Sequence, residues 1–295
     1  MISFRTHVVT LVAVFLALAI GVVLGGGPLS EIGRGGENTE ALEADVANAR
    51  AEASFGERFA SDAARALYGQ RLKDREVTIM TMPGVESSLV KEITEEIDGA
   101  GGEVILTQEL GSSLVNPTEK SLVDTLGSQL MGQLPEGTVA ADASTYERAG
   151  QLLGFIAATQ ADRSVGRSSE SEAVADGLKG ANLLPEVASG PGRAPLVLVV
   201  LGDEVTGDGG DAIIGGIIRG VAAKARGVVV AGPTTSEDGQ LARLRESDAL
   251  GAASSVDGVE SAAGRVAAVL ALGRAYDTQG GAFGATGSDG SLPLG

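Results

Sequence analysis

Cysteine is absent from this chain of 295 residues, histidine occurs once, and there is no tryptophan. Without cysteine the protein has no disulfide bond and no thiolate to act as a nucleophile or a metal ligand. Aromatic residues make up only 3% of the sequence, whereas glycine reaches 44 residues. A hydrophobic core must therefore be built mainly from Ala, Val, Leu and Ile, which is typical of an α/β protein.

The parts of a nucleophilic catalyst are also scarce. The one histidine, His7, lies in the N-terminal segment, and no G-x-S-x-G motif occurs. Ser88 and Lys91 match S-x-x-K, but the S-D-N and K-T-G motifs that accompany it in β-lactamases are missing. So short a match is common by chance, and we favour a solvated helix turn. The sequence therefore predicts that the protein is not an enzyme.

The formal net charge of the chain is −17, from 39 acidic and 22 basic residues. Such a surface repels the phosphates of nucleic acids and anionic lipid headgroups. We therefore expect no nucleic-acid partner, whereas a basic protein or a cation is compatible with the charge.

An uncharged apolar run from Val8 to Leu24 follows Arg5. As a helix it would reach across most of a hydrocarbon core about 30 Å thick. The alternative is a cleaved secretory signal, but Pro28 directly follows the best-placed small residues, which is a poor setting for cleavage.

We interpret residues 1–29 as a cytoplasmic N-terminus followed by a single transmembrane anchor, so that the membrane is an expected partner. Because Arg5 precedes the run and Glu31 follows it, the positive-inside rule places the main domain outside the cytoplasm. The apolar anchor residues are Val8, Leu11, Phe15, Leu18 and Val22.

Residues 30–76 are predicted to form a stalk. A loose break at Gly33–Gly36 is followed by a long helix that resembles a coiled coil. Apolar residues recur along one helical face, with Gly56 among them. The sequence leaves open whether this face binds a second copy in a homodimer, binds another protein, or packs on its own domain. The partner-binding positions are Leu42, Val46, Ala49, Ala53, Ala60, Ala63 and Leu67.

Residues 77–278 alternate between β-branched runs and amphipathic helical patterns. A helical pattern separates the strand-like runs Glu76–Met82 and Glu103–Thr107, which indicates a parallel βαβ unit. The apolar run Leu196–Leu201 is typical of a strand buried on both faces. The sequence predicts an extracytoplasmic α/β domain with a parallel sheet and helices on both faces, followed by a disordered tail at 279–295.

Glycine and acidic residues follow the run Leu196–Leu201. The spacing in Gly207–Ala212 resembles a dinucleotide fingerprint, but an intervening loop and two acids at the pyrophosphate position favour an ordinary glycine-rich loop and no cofactor. As hard oxygen donors, the acids could hold Mg²⁺ or Ca²⁺, or they could simply solvate the loop and offset a helix dipole. They are Asp203, Glu204, Asp208 and Asp211.

Met80 and Met82 are the candidate ligands for a soft metal. Thioethers bind Cu(I), and residues two apart in a strand present their sulfur atoms on one face. That strand is expected to be buried, which favours the alternative that both side chains fill the core.

Three segments carry a resemblance to a known family. The run Met1–Gly25, the segment Ser255–Leu272 and the sequence Gly-Ala-Phe-Gly at 281–284 resemble the actinobacterial MctB family of "copper transporters". The order of anchor, helix and α/β domain is similar too, so that the resemblance covers essentially the whole chain. It implies a component of copper efflux and homeostasis across the cell envelope, with copper as the implied metal and an outer-envelope location as an alternative.

The same resemblance implies a second function. The family has a second member, SteB of corynebacteria. SteB looks like a membrane-anchored division factor that pairs with SteA and supports septal peptidoglycan hydrolysis. An envelope partner protein similar to SteA is therefore the alternative expectation. No catalytic or copper-binding residue is carried over, because the sequence matches no ligand motif of the family.

Overall fold

The computed structural model describes residues 29–205, 207, 209–234 and 239–294, and for residues 29–41 it describes the backbone alone. The chain divides into two compact units, with the division after Gly56. None of the helices in these ranges is both long and apolar enough to cross a membrane. Residues 1–28, which hold nearly all of the predicted anchor, lie outside the described residues.

Helix α1 (Leu29–Tyr68) is continuous through Gly33–Gly36, so the predicted break there is wrong. Glycine weakens a helix by about 1 kcal/mol relative to alanine, but it keeps the N–H group that continues the hydrogen-bond ladder. The helix ends before Gly69, which adopts a left-handed conformation with φ +55°.

The end of α1 belongs to the second unit, Glu57–Gly295. Ala64 and Tyr68 are buried in its core, and Leu67 packs against that core. Tyr68 also donates a hydrogen bond of 2.7 Å to Glu96 Oε2. The second unit therefore begins before the predicted domain boundary at residue 77.

The second unit is built on a six-stranded, fully parallel sheet. Along the sheet the strands follow the order β2 (Glu103–Glu109), β1 (Glu76–Thr81), β5 (Leu196–Val200), β6 (Gly227–Gly232), β7 (Ser254–Asp257) and β8 (Ala282–Phe283). This confirms the predicted parallel-sheet α/β fold. A separate pair, β3 (Val165–Gly166) and β4 (Gly192–Arg193), is antiparallel.

Helices cover both faces of the sheet, because strand side chains alternate between two apolar clusters. In β5, Leu196 and Leu198 join one cluster, and Val197 and Val199 join the other. The first cluster packs under α2 (Ser87–Gly99), α9 (Ala262–Ala275) and the end of α1. The second contains residues of α3 (Ser112–Val115), α4 (Lys120–Met131), α5 (Thr145–Ala157), α6 (Ser169–Gly180), α7 (Gly210–Ala222) and α8 (Gln240–Glu246).

Helices α5 and α7 meet at glycines. A Cβ atom added to Gly150 would lie 2.2 Å from the carbonyl oxygen of Ile217, and one added to Gly220 would lie 2.2 Å from that of Glu147. Only hydrogen fits at these two positions, and this allows the two backbones to pack directly against each other.

The tail predicted to be disordered is ordered as far as it is described, which corrects the prediction for 279–295. Phe283 in β8 is 5% exposed, and β8 pairs with β7. A Cβ atom added to Gly284 would lie 2.4 Å from the carbonyl oxygen of Asp257. Gly284 therefore marks close backbone packing rather than disorder.

Candidate functional site at the carboxyl edge of the sheet

An open crevice lies at the point in the sheet where the order in which strands are added changes direction. From β1 the order runs to β2 on one side and to β5 on the other, and in open α/β sheets ligands bind outside the carboxyl ends of strands at such a point. The crevice has a volume of about 380 Å³. Its apolar walls come from Val85, Leu89, Pro233 and Val259.

Two contacts bring the loops after β1 and β5 together at the floor of the crevice. The amide of Asp203 donates a 2.9 Å hydrogen bond to the carbonyl of Pro83, which joins the loops after β5 and β1. Gly84 has φ +89°, and a Cβ atom there would lie 2.3 Å from Cγ of Asp203. The Asp203 carboxylate therefore lies directly against Gly84, whose positive φ favours glycine at this position.

Four carboxylates line the crevice. Glu92 Oε2 lies 3.1 Å from Nη1 of Arg265, whose side chain is 11% exposed. Both carboxylate oxygens of Glu260 accept from the amide of Thr234 at 3.1 Å. The four acids are Glu86, Glu92, Asp203 and Glu260.

This arrangement attracts cations and repels anions, because four acids face a single basic side chain at the crevice. Arg265 also donates to the carbonyl of Glu260 at 2.9 Å, so the arginine and the backbone hold the rim in place. Ser88 donates to Glu86 Oε2 at 3.2 Å, whereas Lys91 pairs with Glu95 on the exposed face of α2. The S-x-x-K residues are thus engaged with separate carboxylates.

The acidic loop after β5 is held by an arginine that the sequence analysis missed. Arg243 Nε donates to Asp211 Oδ2 at 2.8 Å, and its Nη2 contacts Glu204 Oε1 at 2.5 Å. The hydrogen bonds from Arg243, supported by one from Gln240, hold the pKa of Asp211 below its ordinary value. The same carboxylates raise the pKa of Arg243. Asp208 lies outside the described residues.

Among the described residues, Glu204 and Asp211 share Arg243 rather than a metal-ligand group. Within the described ranges, no group of three or more His, Cys, Asp or Glu side chains is placed to hold a metal ion. The structure brings Glu204 and Asp211 together on Arg243, and it places Asp203 at the crevice instead. A signal for Arg243 was present, since Leu241 and Leu244 are three residues apart and mark the short helix α8.

Met80 and Met82 lie in the apolar core. Their exposed fractions are 0% and 2%, and both belong to the cluster beneath α5 and α7. Met131 packs at the periphery of the same cluster. Met80 lies in β1 and Met82 directly follows that strand, and the surroundings of both are those of core side chains.

The predicted stalk positions divide into two sets. Those in the first unit are exposed, with Leu42 at 63% and Val46 at 41%, and Ala49 and Ala53 are exposed too. The others are half-buried in the second unit: Ala60, Ala63 and Leu67.

Two further large apolar side chains on α1 were not singled out by the sequence analysis. Phe55 and Phe59 are 65% and 64% exposed. Their spacing of four places them on one helical face, and that spacing was the available signal. The anchor positions Val8, Leu11, Phe15, Leu18 and Val22 lie outside the described residues.

The chain matches the family described as "Copper transport outer membrane protein, MctB" over residues 1–294. It is 27% identical to "Copper transporter MctB" of Mycobacterium bovis over 297 aligned positions, which cover 92% of each chain. Proteins of the same name from two strains of Mycobacterium tuberculosis show the same identity and coverage. The segments that suggested a resemblance are thus part of a match along the entire chain, and the protein belongs to the MctB family.

Proposed function

We propose that this protein is a non-catalytic, membrane-anchored component of copper efflux and homeostasis in the cell envelope. The observation that carries the proposal is the family match over residues 1–294, together with relatives named copper transporters. Transport rather than catalysis is also consistent with the crevice, where Glu260 accepts from the backbone amide of Thr234 and Glu92 pairs with Arg265.

The proposed location follows from the N-terminal sequence. Residues 1–29 would form one transmembrane anchor with Met1 in the cytoplasm, and the α/β domain would lie outside. Mass spectrometry of the mature protein tests this, with a peptide that begins at or next to Met1 as the expected result. A mature protein that begins near Pro28 and is released from the membrane would contradict the anchor.

In this proposal the acidic crevice contacts a cation or the basic side chain of a transport partner, and Met80 and Met82 act as core residues. Copper would then be carried by another component or by a weaker, exchangeable contact. A cationic occupant suits the four acids at the crevice, and the volume of about 380 Å³ lies within the range of small-molecule sites.

A deletion strain provides the test. It should accumulate more copper than the parent and grow less well in added copper, while its response to zinc stays unchanged. The wild-type chain should restore tolerance. Copper content equal to that of the parent strain would overturn the copper function.

Two charge reversals test the crevice within the same strain. Glu86→Lys changes an exposed residue that lines the crevice, and Asp142→Lys makes the same change of charge at an exposed position outside it. We expect Glu86→Lys to restore less copper tolerance than Asp142→Lys. Equal restoration would remove the crevice from the proposal and leave the family-level function in place.

A second candidate function is a scaffold that binds an envelope partner similar to SteA and regulates septal peptidoglycan hydrolysis. The observation that favours it is the exposure of four large apolar side chains on α1, since such residues commonly mark contact surfaces. A cell-separation defect in the deletion strain without a change in copper content would support this alternative. The four residues are Leu42, Val46, Phe55 and Phe59.

A further inference from the structure

The exposed part of α1 carries a regular apolar seam. Leu42, Val46, Ala49 and Ala53 are separated by four, three and four residues, and all four are exposed. This is the spacing of the core positions a and d of a coiled coil, with Val46 and Ala53 at a and with Leu42 and Ala49 at d.

We propose that this seam pairs with the same seam of a second copy of the chain, in a parallel and in-register two-stranded coiled coil. The proposal goes beyond the proposed copper function, and it rests on the proposed function only for the membrane anchor that would hold the two copies together. A β-branched residue at a and leucine at d favour two parallel strands, and Val46 and Leu42 supply that combination.

The charged residues beside the seam favour a second copy of the same chain as the binding partner. In this register Asp45 is at position g and Arg50 is at the following position e. In a parallel pair of identical helices, g of one copy lies beside the next e of the other, so Asp45 of each copy meets Arg50 of its partner. Within one helix, residues five apart do not face each other, which leaves the pair available between copies.

The antiparallel arrangement is less favourable. It would place Arg50 beside Glu43 of the second copy, which attracts, but it would also place Asp45 beside Glu52, which repels. By the two-fold symmetry of either pair, each of these contacts occurs twice. The parallel arrangement gives the Asp45–Arg50 attraction twice and the Glu52–Glu57 repulsion twice. That repulsion is the weaker of the two, because the Glu57 carboxylate accepts a hydrogen bond from the amide of Ala262 in its own copy.

The seam ends where α1 joins the α/β unit. The Glu57 carboxylate accepts a 2.8 Å hydrogen bond from the amide of Ala262, which directs that charge towards its own domain. Gly56 occupies the next d position, and Ala60 beyond it is half-buried in the second unit. About two heptads therefore remain for pairing, and such a short coiled coil is weak unless the two chains are held in one membrane.

Single cysteines test the pairing cleanly, because the natural chain has none. Ala53→Cys places a thiol at an a position, and Ala51→Cys places one at position f on the opposite side of the same exposed helix. Only the first brings two Cα atoms to a distance that a disulfide can bridge. In full-length protein in membranes under mild oxidation, we expect Ala53→Cys to cross-link at least ten times faster than Ala51→Cys. Equal rates, or no dimer from Ala53→Cys, would overturn the proposal.

Charge reversals on the Ala53→Cys background identify the partner as a second copy. Asp45→Arg alone and Arg50→Asp alone should each slow the cross-linking, because each places like charges together. The double change Asp45→Arg with Arg50→Asp should restore the rate, since the pair is re-formed with its signs exchanged. A double variant no faster than the single variants would exclude this parallel register. Circular dichroism of all the variants controls for loss of the helix.

Discussion

Asp257, at the end of β7, forms a buried ion pair with Arg245 of α8. Arg245 Nη2 lies 3.0 Å from Oδ1 of an aspartate side chain that is 0% exposed. The other carboxylate oxygen accepts from the amide of Thr286 at 2.9 Å, and Arg245 also donates to the carbonyl of Phe283 at 2.8 Å. One carboxylate and one guanidinium thus join α8, β7 and the segment that follows β8.

Replacing Asp257 by Asn should destabilise the α/β unit strongly. The change leaves the Arg245 guanidinium buried without its counter-charge, and removing one partner of a buried pair costs about 3–5 kcal/mol. Urea unfolding followed by circular dichroism measures the loss. The control is Glu246→Gln, the next residue along α8, which is exposed and should stay within about 0.5 kcal/mol of the wild type. An equal, small effect of both changes would contradict the role of the ion pair.

Gly220→Ala should separate α5 from α7. A methyl group would lie 2.2 Å from the carbonyl oxygen of Glu147, so one backbone must move, and overpacking of this kind costs about 1–3 kcal/mol. Gly180→Ala is the matched control, because no atom lies within 4 Å of its added Cβ. Thermal unfolding should show a lower melting temperature for Gly220→Ala and an unchanged or slightly higher one for Gly180→Ala. The reverse order would mean that the two helices do not meet at Gly220.

The pairing of Asp211 with Arg243 should give a defined pH dependence. The hydrogen bonds of Arg243 lower the pKa of Asp211 below its ordinary value of 3.8, so the carboxylate stabilises the fold above that pH and the effect is lost as the pH falls through the lower, folded-state pKa. Asp211→Asn should therefore be less stable than the wild type at pH 7, and the difference should shrink below pH 3.8. Urea titrations at a series of pH values would show this. A difference that stays constant with pH would exclude the ion pair as its cause.

The purified protein should bind Cu(I) no more tightly than a nonspecific protein surface. Cysteine is absent, and the two thioethers at Met80 and Met82 are in the apolar core. Competition with a chromogenic Cu(I) chelator measures the affinity, and Met80→Leu with Met82→Leu is the comparison, since this swap conserves volume and costs less than about 1.5 kcal/mol per site. Tight stoichiometric binding that the double variant loses would make the pair a copper site.

The parallel sheet was predictable from the sequence because its central strands are continuous apolar runs, such as Leu196–Val200. The short helix α8 was missed, because its seven residues and two core leucines give only a weak periodic signal, and Arg243 was missed with it. The division of the stalk into an exposed part and a half-buried part was also not predictable from the sequence. Ala60 and Ala63 repeat the spacing of Val46 and Ala49, and only tertiary packing distinguishes the half-buried positions from the exposed ones.

The crevice depends on contacts between loops that are distant in sequence. Asp203 and Gly84 are brought together only once β1 and β5 pair, and no periodicity in the chain indicates that meeting. The same holds for the tail, whose Gly, Ser and Asp composition is that of a flexible segment. Its order comes from the specific hydrogen bonds between Thr286 and Asp257.

Strand β8 has only two residues, yet it covers one border of the sheet beside β7. A long bare border strand offers unpaired amides and carbonyls to other chains, and a very short final strand limits that template for aggregation. A polypeptide that stops before Ala282 would leave β7 as the border, with its backbone open to neighbouring molecules. During synthesis, when the chain emerges from its N-terminus onwards, the sheet would stay vulnerable until Phe283 arrives. Chaperone dependence and truncation-induced aggregation should therefore map to this short segment.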